Sequence, residues 1–306
     1  MGIAKGLARL LIEESRDRPF SGRLLTLGKQ DVFFTSPKLE KMAEEFGVKL
    51  NKNIKVTYSL NQFSKQKGYI SDVFLFKALG FSEVKSIDVN DYESTDIMFD
   101  LNNNEVPKEL VGKFDVIMDS GTTEHIFHIP NCLNNLNMML KKGGRIICCL
   151  PTSNYVDHGF YMFSPTLFWD YYSANKFDIN KFYIYKHHKL HNFFRFKISK
   201  YFPGCLDNVS FGGLDSALYC IFFVVSKTNN SKYNVIPQQG RYYKEWKVHS
   251  NIIMKTDSLK EKVRKYIKSS PKLYPIALNI YDSQIVKYII YITKRKGLGL
   301  KVEKKY

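Results

Sequence analysis

The residues best suited to chemistry follow an apolar run in the segment 113–131, KFDVIMDSGTTEHIFHIPN. The run closes on Asp119, and the polar stretch after it contains the adjacent pair Glu124 and His125. His158 follows the next apolar run along the chain. Three chemistries fit this pattern: hydrogen bonding to substrate or local backbone, general base catalysis by an imidazole that titrates near neutrality, and a divalent metal site. Because histidine and carboxylate alone are weak indicators of ligation, the first two are favoured over a metal.

Other apolar runs also close on a glycine or a carboxylate. GRLLTLG ends at Gly28, SEVKSID ends at Asp88, and TDIMFD ends at Asp100. In an open α/β sheet the ligand lies beyond the carboxyl ends of the strands, so we expect these residues and Asp119 to line one crevice. A strand-end carboxylate can accept hydrogen bonds from two neighbouring hydroxyl groups, which suits Asp88 to a ribose, and the alternative is a strand-end aspartate that turns the chain. The alternative for Asp100, in DLNNNEVP, is a polar turn.

The elements that must position these residues alternate between strand and helix through most of residues 22–226. Seven apolar runs have the length of buried strands, and SPKLEKMAEEFG and SPTLFWDYYS begin with the serine and proline signals of helices. This alternation predicts an α/β fold with a doubly wound, mostly parallel, seven-stranded sheet of the Rossmann-like kind.

Charge divides the chain into two parts. Residues 227–306 contain 19 Lys and Arg against five Asp and Glu, whereas residues 1–226 contain 27 against 24. We predict an α/β domain over 1–226 and a basic, mainly helical C-terminal extension over 227–306. Since the body is nearly neutral, nucleic acid is not favoured as a partner.

The extension contains a predicted basic amphipathic helix over residues 256–270. Packing on the body or on a second subunit is the first interpretation, and contact with an anionic membrane surface is the alternative. No stretch reaches about 18 uninterrupted apolar residues, and the first 20 residues show no cleavage site. We therefore expect a cytoplasmic protein, with attachment to the inner face of the membrane if the extension binds lipid. The five cysteines lack paired metal spacing and are expected to be free thiols.

The order of elements resembles the class I S-adenosylmethionine-dependent methyltransferases across most of residues 22–226. The segment FDVIMDSGTTEHI, the turn LKKGG and the run RIICCLP carry most of the likeness, with SIDVND and FDLN. The resemblance implies S-adenosyl-L-methionine as cofactor, with its ribose on Asp88 and its adenine near Asp100 and Leu101. It also places Asp119, Ser120 and Gly121 at the cofactor. LTLGKQD and HGFYMFSPTLFWDYYS resemble a bacterial subgroup associated with small-molecule or surface-polysaccharide biosynthesis.

The first loop departs from the family pattern, because Gly28 is followed by Lys29 and Gln30 where further glycines are usual. Either side chain must point away from the cofactor or hold its terminal carboxylate. Gly28 and Asp88 are 60 residues apart in the sequence, so residues 36–68 are predicted to be an insertion, and a lid is one role for it. The alternative is a non-catalytic scaffold that has lost its cofactor and recruits a membrane or protein partner through the basic tail.

The expected activity is O-methylation of a small molecule or of a sugar or surface-glycan precursor. The predicted catalytic residues are His125, His158 and Glu124, and aromatic residues Tyr161 and Phe163 are predicted to contact the acceptor. Some members of the family bind a divalent ion with a Glu-His pair at this position, but their additional upstream glutamate is absent here. A metal is therefore not favoured. The acceptor and the oligomeric state are not determined by the sequence.

Overall fold

The computed structural model describes residues 2–188, 196–207, 209, 212–240, 242, 266–283 and 302–305. The chain divides into two compact units. The first comprises Met1–Tyr201, Ala217–Pro237 and Glu303–Tyr306, and the second comprises Phe202–Ser216 and Gln238–Val302. Every candidate site residue belongs to the first unit. The predicted division at residue 226 stays a prediction.

In the described part of the chain, nine strands form one sheet. They are β1 (Arg23–Leu27), β2 (Glu83–Asp88), β3 (Ile97–Met98), β4 (Phe114–Asp119), β5 (Leu140–Ser153), β6 (Asp178–His187), β7 (Lys197–Lys200), β8 (Leu218–Ser226) and β9 (Val302–Lys305). Their order is β3-β2-β1-β4-β5-β8-β6-β7-β9. The pairs among β3, β2, β1, β4 and β5 are parallel, whereas β8 is antiparallel to both β5 and β6.

The predicted α/β class with a mostly parallel sheet is confirmed, but the predicted count of seven strands is wrong. The two additional strands, β7 and β9, extend the sheet beyond β6. They pair along an edge that would otherwise present a row of unpaired N–H and C=O groups. Each is four residues long, too short for its sequence to show a strand pattern.

The strand order reverses direction between β1 and β4. From β1 the chain proceeds outward to β2 and β3, and it then returns to place β4 on the other side of β1. Such a reversal opens a crevice at the carboxyl ends of the two central strands, where open α/β sheets bind ligands. The crevice therefore lies beyond Leu27 and Asp119.

Helices connect the strands and largely follow the predicted positions. They are α1 (Lys5–Asp17), α2 (Ser36–Glu45), α3 (Gln62–Gln66), α4 (Asp72–Ala78), α5 (Ile129–Met139), α6 (Pro165–Ala174) and α7 (Leu273–Asp282), with 3-10 turns at Lys108–Leu110 and Thr123–His125. Proline occupies the first turn of α2, α5 and α6, where its missing N–H leaves no helical bond unmade. The predicted insertion 36–68 contains α2 and α3, and a bridge joins Tyr58 to Ile70.

The C-terminal extension is described only in part. Most of the predicted amphipathic helix 256–270 lies outside the described residues. The extension is not wholly helical, because its last described segment is strand β9. Among the described residues, no helix is both long enough and apolar enough to cross a lipid bilayer.

A buried ion pair fixes α1 to the sheet. Arg145 on β5 and Glu14 on α1 are each 3% exposed, and Arg145 Nη1 donates to Glu14 Oε1 over 2.6 Å. Arg145 Nη2 also donates to the backbone carbonyls of Arg18 at 2.7 Å and Pro19 at 3.3 Å. The other Glu14 oxygen, Oε2, pairs with Lys181 Nζ at 2.6 Å. The Arg145 guanidinium thus bonds one oxygen of a buried carboxylate and the end of the helix together, which a single ammonium group cannot do in the same geometry.

We expect Arg145→Lys to lower the free energy of unfolding by about 2 kcal/mol, because lysine keeps the charge but leaves buried acceptors unsatisfied. Denaturant unfolding monitored by circular dichroism measures this change. Arg16→Lys is the matched control, since the Arg16 side chain is 47% exposed and should shift stability by no more than about 0.5 kcal/mol. Equal stability of the two variants would contradict the prediction.

Candidate functional site

The turn after β1 requires a glycine. Gly28 has φ +66°, a left-handed conformation that residues with a Cβ rarely adopt. Its N–H donates to the Ile87 carbonyl of β2 at 2.8 Å. Thr122 Oγ1, from the loop after β4, donates to the Leu27 carbonyl at 2.7 Å. Backbone at the ends of β1, β2 and β4 is therefore joined at the bottom of the crevice.

The two residues that replace the usual glycines have different surroundings. Lys29 Nζ lies 3.5 Å from Asp96 Oδ2 in a partly exposed ion pair. Gln30 is buried, and its Nε2 donates to the Leu27 carbonyl at 2.8 Å. Within the described part of the chain, Gln30 Oε1 is buried without a hydrogen-bond partner. This oxygen is therefore available to a ligand that donates a hydrogen bond.

A cavity of about 380 Å³ lies beside this turn. Its wall includes residues 59–61 from the predicted insertion, so the insertion does border the crevice. The remaining lining residues are Lys29, Gln30, Asp31, Ser71, Asp72, Tyr92, Glu93 and Ser94.

Carboxylates outnumber cations in this cavity. Burial raises the pKa of Asp72, although its carboxylate accepts from Gln30 N at 2.9 Å and Val73 N at 2.8 Å. Burial also raises the pKa of Glu93, with a further increase from the charges of Asp31, Asp88 and Asp72. Lys29 is the only cationic side chain in the described lining of the cavity. The cavity is thus suited to a ligand that carries positive charge.

The predicted ribose and adenine residues lie on the same side of the crevice. Asp88 ends β2, and a Cβ added to Gly28 would be 3.6 Å from Asp88 Oδ2, so the carboxylate faces the glycine turn. Asp100 does not end a strand as predicted, because β3 stops at Met98. Asp100 Oδ1 instead accepts from Asn102 N and Nδ2, both at 2.8 Å, which is the polar-turn alternative. Leu101 is 4% exposed.

The Asp119 carboxylate organises the loop that follows β4. It is fully buried and accepts from the backbone N–H groups of Gly121, Thr122 and Thr123 at 3.2, 2.9 and 3.2 Å, and from the Thr123 hydroxyl. Gly121 has φ +112°, and Ser120 is 2% exposed. These contacts position the 3-10 turn Thr123–His125 and leave Asp119 with a positioning role inside the loop.

The structure brings the three predicted catalytic residues together. Glu124 is 0% exposed, and neither of its carboxylate oxygens has a hydrogen-bond partner among the residues described. His158 Nε2 lies 3.7 Å from Glu124 Oε1, and the rings of His125 and His158 are 5.3 Å apart between centroids. One donor atom from each residue lies within 4.8 Å of the other two. A buried carboxylate thus faces two exposed imidazoles.

Close backbone packing holds this cluster in place. A Cβ added to Gly159 would lie 2.9 Å from the Glu124 carbonyl and 3.1 Å from His125 Nδ1, so only glycine permits this approach. Tyr161 N donates to the Glu124 carbonyl at 3.2 Å, and Tyr161 Oη donates to the Phe127 carbonyl at 2.8 Å. The loop that contains His158 is therefore fixed on the 3-10 turn.

Of the two aromatic residues predicted to contact the acceptor, Phe163 is 3% exposed. Its ring stacks on Tyr161 at 5.5 Å and packs against Phe168 at 5.0 Å. These contacts make Phe163 a core residue that supports Tyr161, and they give Tyr161 a role in positioning the Glu124 backbone.

Burial sets the protonation of the cluster. It raises the pKa of Glu124 to about 8, and the nearby Asp119 charge adds to the effect. Burial raises the pKa of Asp119 as well, but the hydrogen bonds to that carboxylate oppose the change. Since no such bonds reach Glu124 within the described chain, Glu124 is the group that keeps the proton near neutrality. Burial, together with the neighbouring His158, lowers the pKa of His125, which is therefore neutral and able to accept a proton.

The cluster also fits a divalent cation. Two imidazoles and one carboxylate are a common ligand set for Zn²⁺ and other first-row metals, and the partnerless Glu124 oxygens would gain a partner. Ligand atoms around such an ion are about 3–4 Å apart, so small side-chain rotations would suffice. From the sequence, the lack of the upstream glutamate argued against a metal site. The observed cluster supplies three ligand atoms without that glutamate.

Several cavity residues were missed from the sequence. Asp72 follows Ser71, whose hydroxyl accepts from Phe74 N at 3.0 Å and caps α4. A serine and an aspartate at the start of a helix are typical capping residues, so the sequence gives no sign that Asp72 also accepts a hydrogen bond from Gln30 N in the loop after β1. Asp31 and Glu93 lie in loops, where an isolated carboxylate gives no signal.

No protein-family model matches this chain, and no curated protein matches it. Several solved structures are similar to it. The YcgJ protein from Bacillus subtilis is 10% identical over 72% of this chain and 98% of its own, with a TM-score of 0.36. The Haemonchus contortus phosphoethanolamine N-methyltransferase 2 is 13% identical over 72% and 53%, with a TM-score of 0.35. The Burkholderia thailandensis 1,6-didemethyltoxoflavin-N1-methyltransferase is 12% identical over 72% and 77%, with a TM-score of 0.31.

The two methyltransferases were solved with S-adenosylhomocysteine bound. Both of these neighbours are methyltransferases, and they act on different substrates. Because the identities and TM-scores are this low, the activity and site residues of this chain are argued from its own geometry.

Proposed function

We propose that the protein is an S-adenosylmethionine-dependent methyltransferase that methylates an acceptor oxygen. The observation that carries this proposal is the carboxylate-rich cavity beside the turn at Gly28, which faces the Asp88 carboxylate. S-adenosylmethionine carries a sulfonium and an ammonium group, and both are cations. The carboxylates of this cavity repel one another, and each gains an attractive partner when such a ligand binds.

The polar groups of the cavity match the parts of this cofactor. The Asp88 carboxylate, next to the glycine turn, can accept from both ribose hydroxyls. Gln30 Oε1 can accept from the ammonium group, and Lys29 lies in the cavity wall where it can pair with the cofactor's carboxylate. Gln30 and Lys29 would thus supply by side chains what a glycine-rich loop supplies by backbone N–H groups.

In the proposed reaction the acceptor hydroxyl loses its proton to an imidazole as its oxygen attacks the methyl carbon. The new O–CH₃ bond forms while the S–CH₃ bond breaks, and neutral S-adenosylhomocysteine leaves. His125 is the proposed base because it is neutral and exposed at the cluster. His158 and Glu124 hold its position. A divalent ion bound by these residues would lower the pKa of the acceptor hydroxyl as a Lewis acid.

The cofactor is tested by calorimetric titration of S-adenosylmethionine and S-adenosylhomocysteine into the full chain. We expect Asp88→Ala to weaken both affinities by about 10- to 100-fold, because hydrogen bonds to a charged acceptor contribute roughly 1.5–3 kcal/mol. Asp178→Ala, an exposed aspartate at the start of β6, is the control and should leave both affinities unchanged.

If the folded wild-type protein binds neither compound, the methyltransferase proposal fails and the non-catalytic scaffold becomes the better explanation. If it binds both but Asp88→Ala changes nothing, the cofactor lies elsewhere in the crevice.

A further inference from the structure

A second cavity, of about 330 Å³, lies between the N-terminal segment and the sheet. Ser120 borders it from the loop after β4, Cys149 from β5, Tyr185 and His187 from β6, and Cys220 from β8. Phe33 contributes an aromatic side chain from the segment after β1. All of these residues belong to the first compact unit.

The N-terminal segment closes this cavity. Gly2, Ala4 and Leu7 line it, and Ile3 pairs in parallel with Val32. Ile3 N donates to the Asp31 carbonyl at 2.6 Å, and Phe33 N donates to the Ile3 carbonyl at 3.1 Å. The wall is therefore fixed by backbone bonds.

Glycines allow the segment to approach the sheet this closely. A Cβ on Gly2 would lie 2.4 Å from the Asp31 carbonyl, and one on Gly6 would lie 2.3 Å from Tyr185 Oη. Larger residues at either position would push the segment outward and open the cavity.

The second cavity adjoins the proposed cofactor cavity and the catalytic cluster. Asp31 lines both cavities. Tyr155 connects the second cavity with the cluster: its ring is 5.6 Å from that of His158, and its Oη is 2.7 Å from His187 Nε2 and 3.1 Å from Cys220 Sγ. A molecule in the second cavity thus borders the proposed cofactor cavity at Asp31, and the Tyr155 side chain lies between it and His158.

The lining is poorly suited to a sugar. Tyr155, His187 and Cys220 already hydrogen-bond to one another, and apart from Asp31 and Ser120 the remaining wall consists of aromatic, aliphatic and thiol groups. A sugar has several hydroxyls that would each lose water, at about 1–3 kcal/mol for every one left unpaired. Phe33 and Tyr185 instead offer ring surfaces to a flat apolar molecule. The volume is near the lower end of the roughly 300–1,000 Å³ range of ligand pockets.

We propose that this cavity binds the methyl acceptor and that the acceptor is a compact phenol, not a glycan precursor. The inference rests on the proposed methyltransferase function. The phenol ring lies between the N-terminal segment and the sheet, with its hydroxyl toward the cofactor. The phenolic oxygen forms the O–CH₃ bond, the sulfonium S–CH₃ bond breaks, and the phenolic proton passes to the imidazole cluster.

The test compares simple phenols, catechol and 4-hydroxybenzoate, with UDP-glucose as acceptors, using S-adenosylhomocysteine formation as the readout. We expect wild-type protein to methylate the phenols and not the sugar nucleotide. Ala4→Phe places a ring in the cavity and should lower kcat/KM for phenols at least 10-fold, with an unchanged calorimetric Kd for S-adenosylmethionine. Val111→Phe, at the opposite end of β4, adds the same side chain outside the cavity and should behave as wild type.

Turnover of UDP-glucose without turnover of phenols would overturn the phenol assignment while supporting the methyltransferase. Turnover of phenols that Ala4→Phe does not reduce would overturn the assignment of this cavity. Failure of the wild-type protein to bind S-adenosylmethionine is a different result, because it removes the proposed function on which the inference rests. The wild-type comparison of acceptors decides the substrate class even if Ala4→Phe does not fold.

Discussion

Replacing His125 with alanine is expected to lower methyl-transfer turnover by about 10²- to 10⁴-fold, the usual contribution of a general base. The reason is that His125 is a neutral, exposed imidazole in the cluster with Glu124 and His158, and it is the proposed base. The calorimetric Kd for S-adenosylmethionine should change by less than about threefold, since the Gln30 and Asp88 contacts are untouched. Initial rates with a saturating phenol acceptor measure the loss.

His128→Ala is the matched control for this prediction. His128 lies three residues further on, and its ring contacts Phe127 outside the cluster. It should retain turnover within about twofold. A His125→Ala enzyme with wild-type turnover would exclude His125 as the base, whereas a parallel loss of cofactor affinity would reassign it to the cofactor site.

His158→Ala separates a base from a metal ligand at this cluster. If the cluster binds a cation, the His125 and His158 variants should both lose calorimetric Zn²⁺ binding, because each supplies one donor to the same ion. If the cluster acts by proton transfer alone, the wild-type protein will show no Zn²⁺ heat and His158→Ala will have the smaller kinetic effect. The Zn²⁺ titration requires no acceptor.

The framework of the site could be predicted from the sequence because strands that end in a functional residue have a strong pattern. The runs that close on Gly28, Asp88 and Asp119 form β1, β2 and β4, and their carboxyl ends meet as the parallel pairing requires. The approach of Glu124 to His158 followed less directly, since it depends on the loop after β5 folding back through Gly159.

Features that depend on the conformation of a loop or on contacts distant in the sequence were not predictable. The position of Asp119 at the end of an apolar run suggests a cofactor ligand. In the structure its carboxylate oxygens instead accept hydrogen bonds from the N–H groups of its own loop. Phe163 precedes a helix beside the crevice, and only the packing shows that its ring turns into the core. The joining of β9 to the sheet edge brings together residues far apart in the chain, which no local pattern encodes.

Replacing Glu124 with glutamine is expected to remove a large pH dependence of stability. A carboxyl in the unfolded chain ionises near pH 4.5, whereas burial raises the pKa of Glu124 to about 8 in the folded protein. Between these values the folded state holds a proton that the unfolded state has released. Raising the pH therefore favours unfolding. The raised pKa of Glu124 lowers the free energy of unfolding by roughly 3–5 kcal/mol between pH 5 and pH 8.

Guanidinium unfolding at pH 5 and pH 8, without added metal, measures this effect for wild type and Glu124→Gln. The wild-type free energy of unfolding should fall more steeply than that of the variant. The lowered pKa of His125 acts in the opposite direction, because a histidine that is neutral in the folded state gains relative stability as pH rises through its unfolded pKa. That contribution is present in both proteins and cancels to first order in the comparison.

Glu109→Gln, at an exposed position, should show the wild-type pH dependence. Parallel curves for wild type and Glu124→Gln would mean that Glu124 is ionised in the folded protein at neutral pH, so a cation or a protonated histidine must then neutralise it. The predicted outcome, a variant more stable than wild type at pH 8 yet impaired in methyl transfer, would show that this buried carboxyl is kept at a cost to the fold because the site requires it.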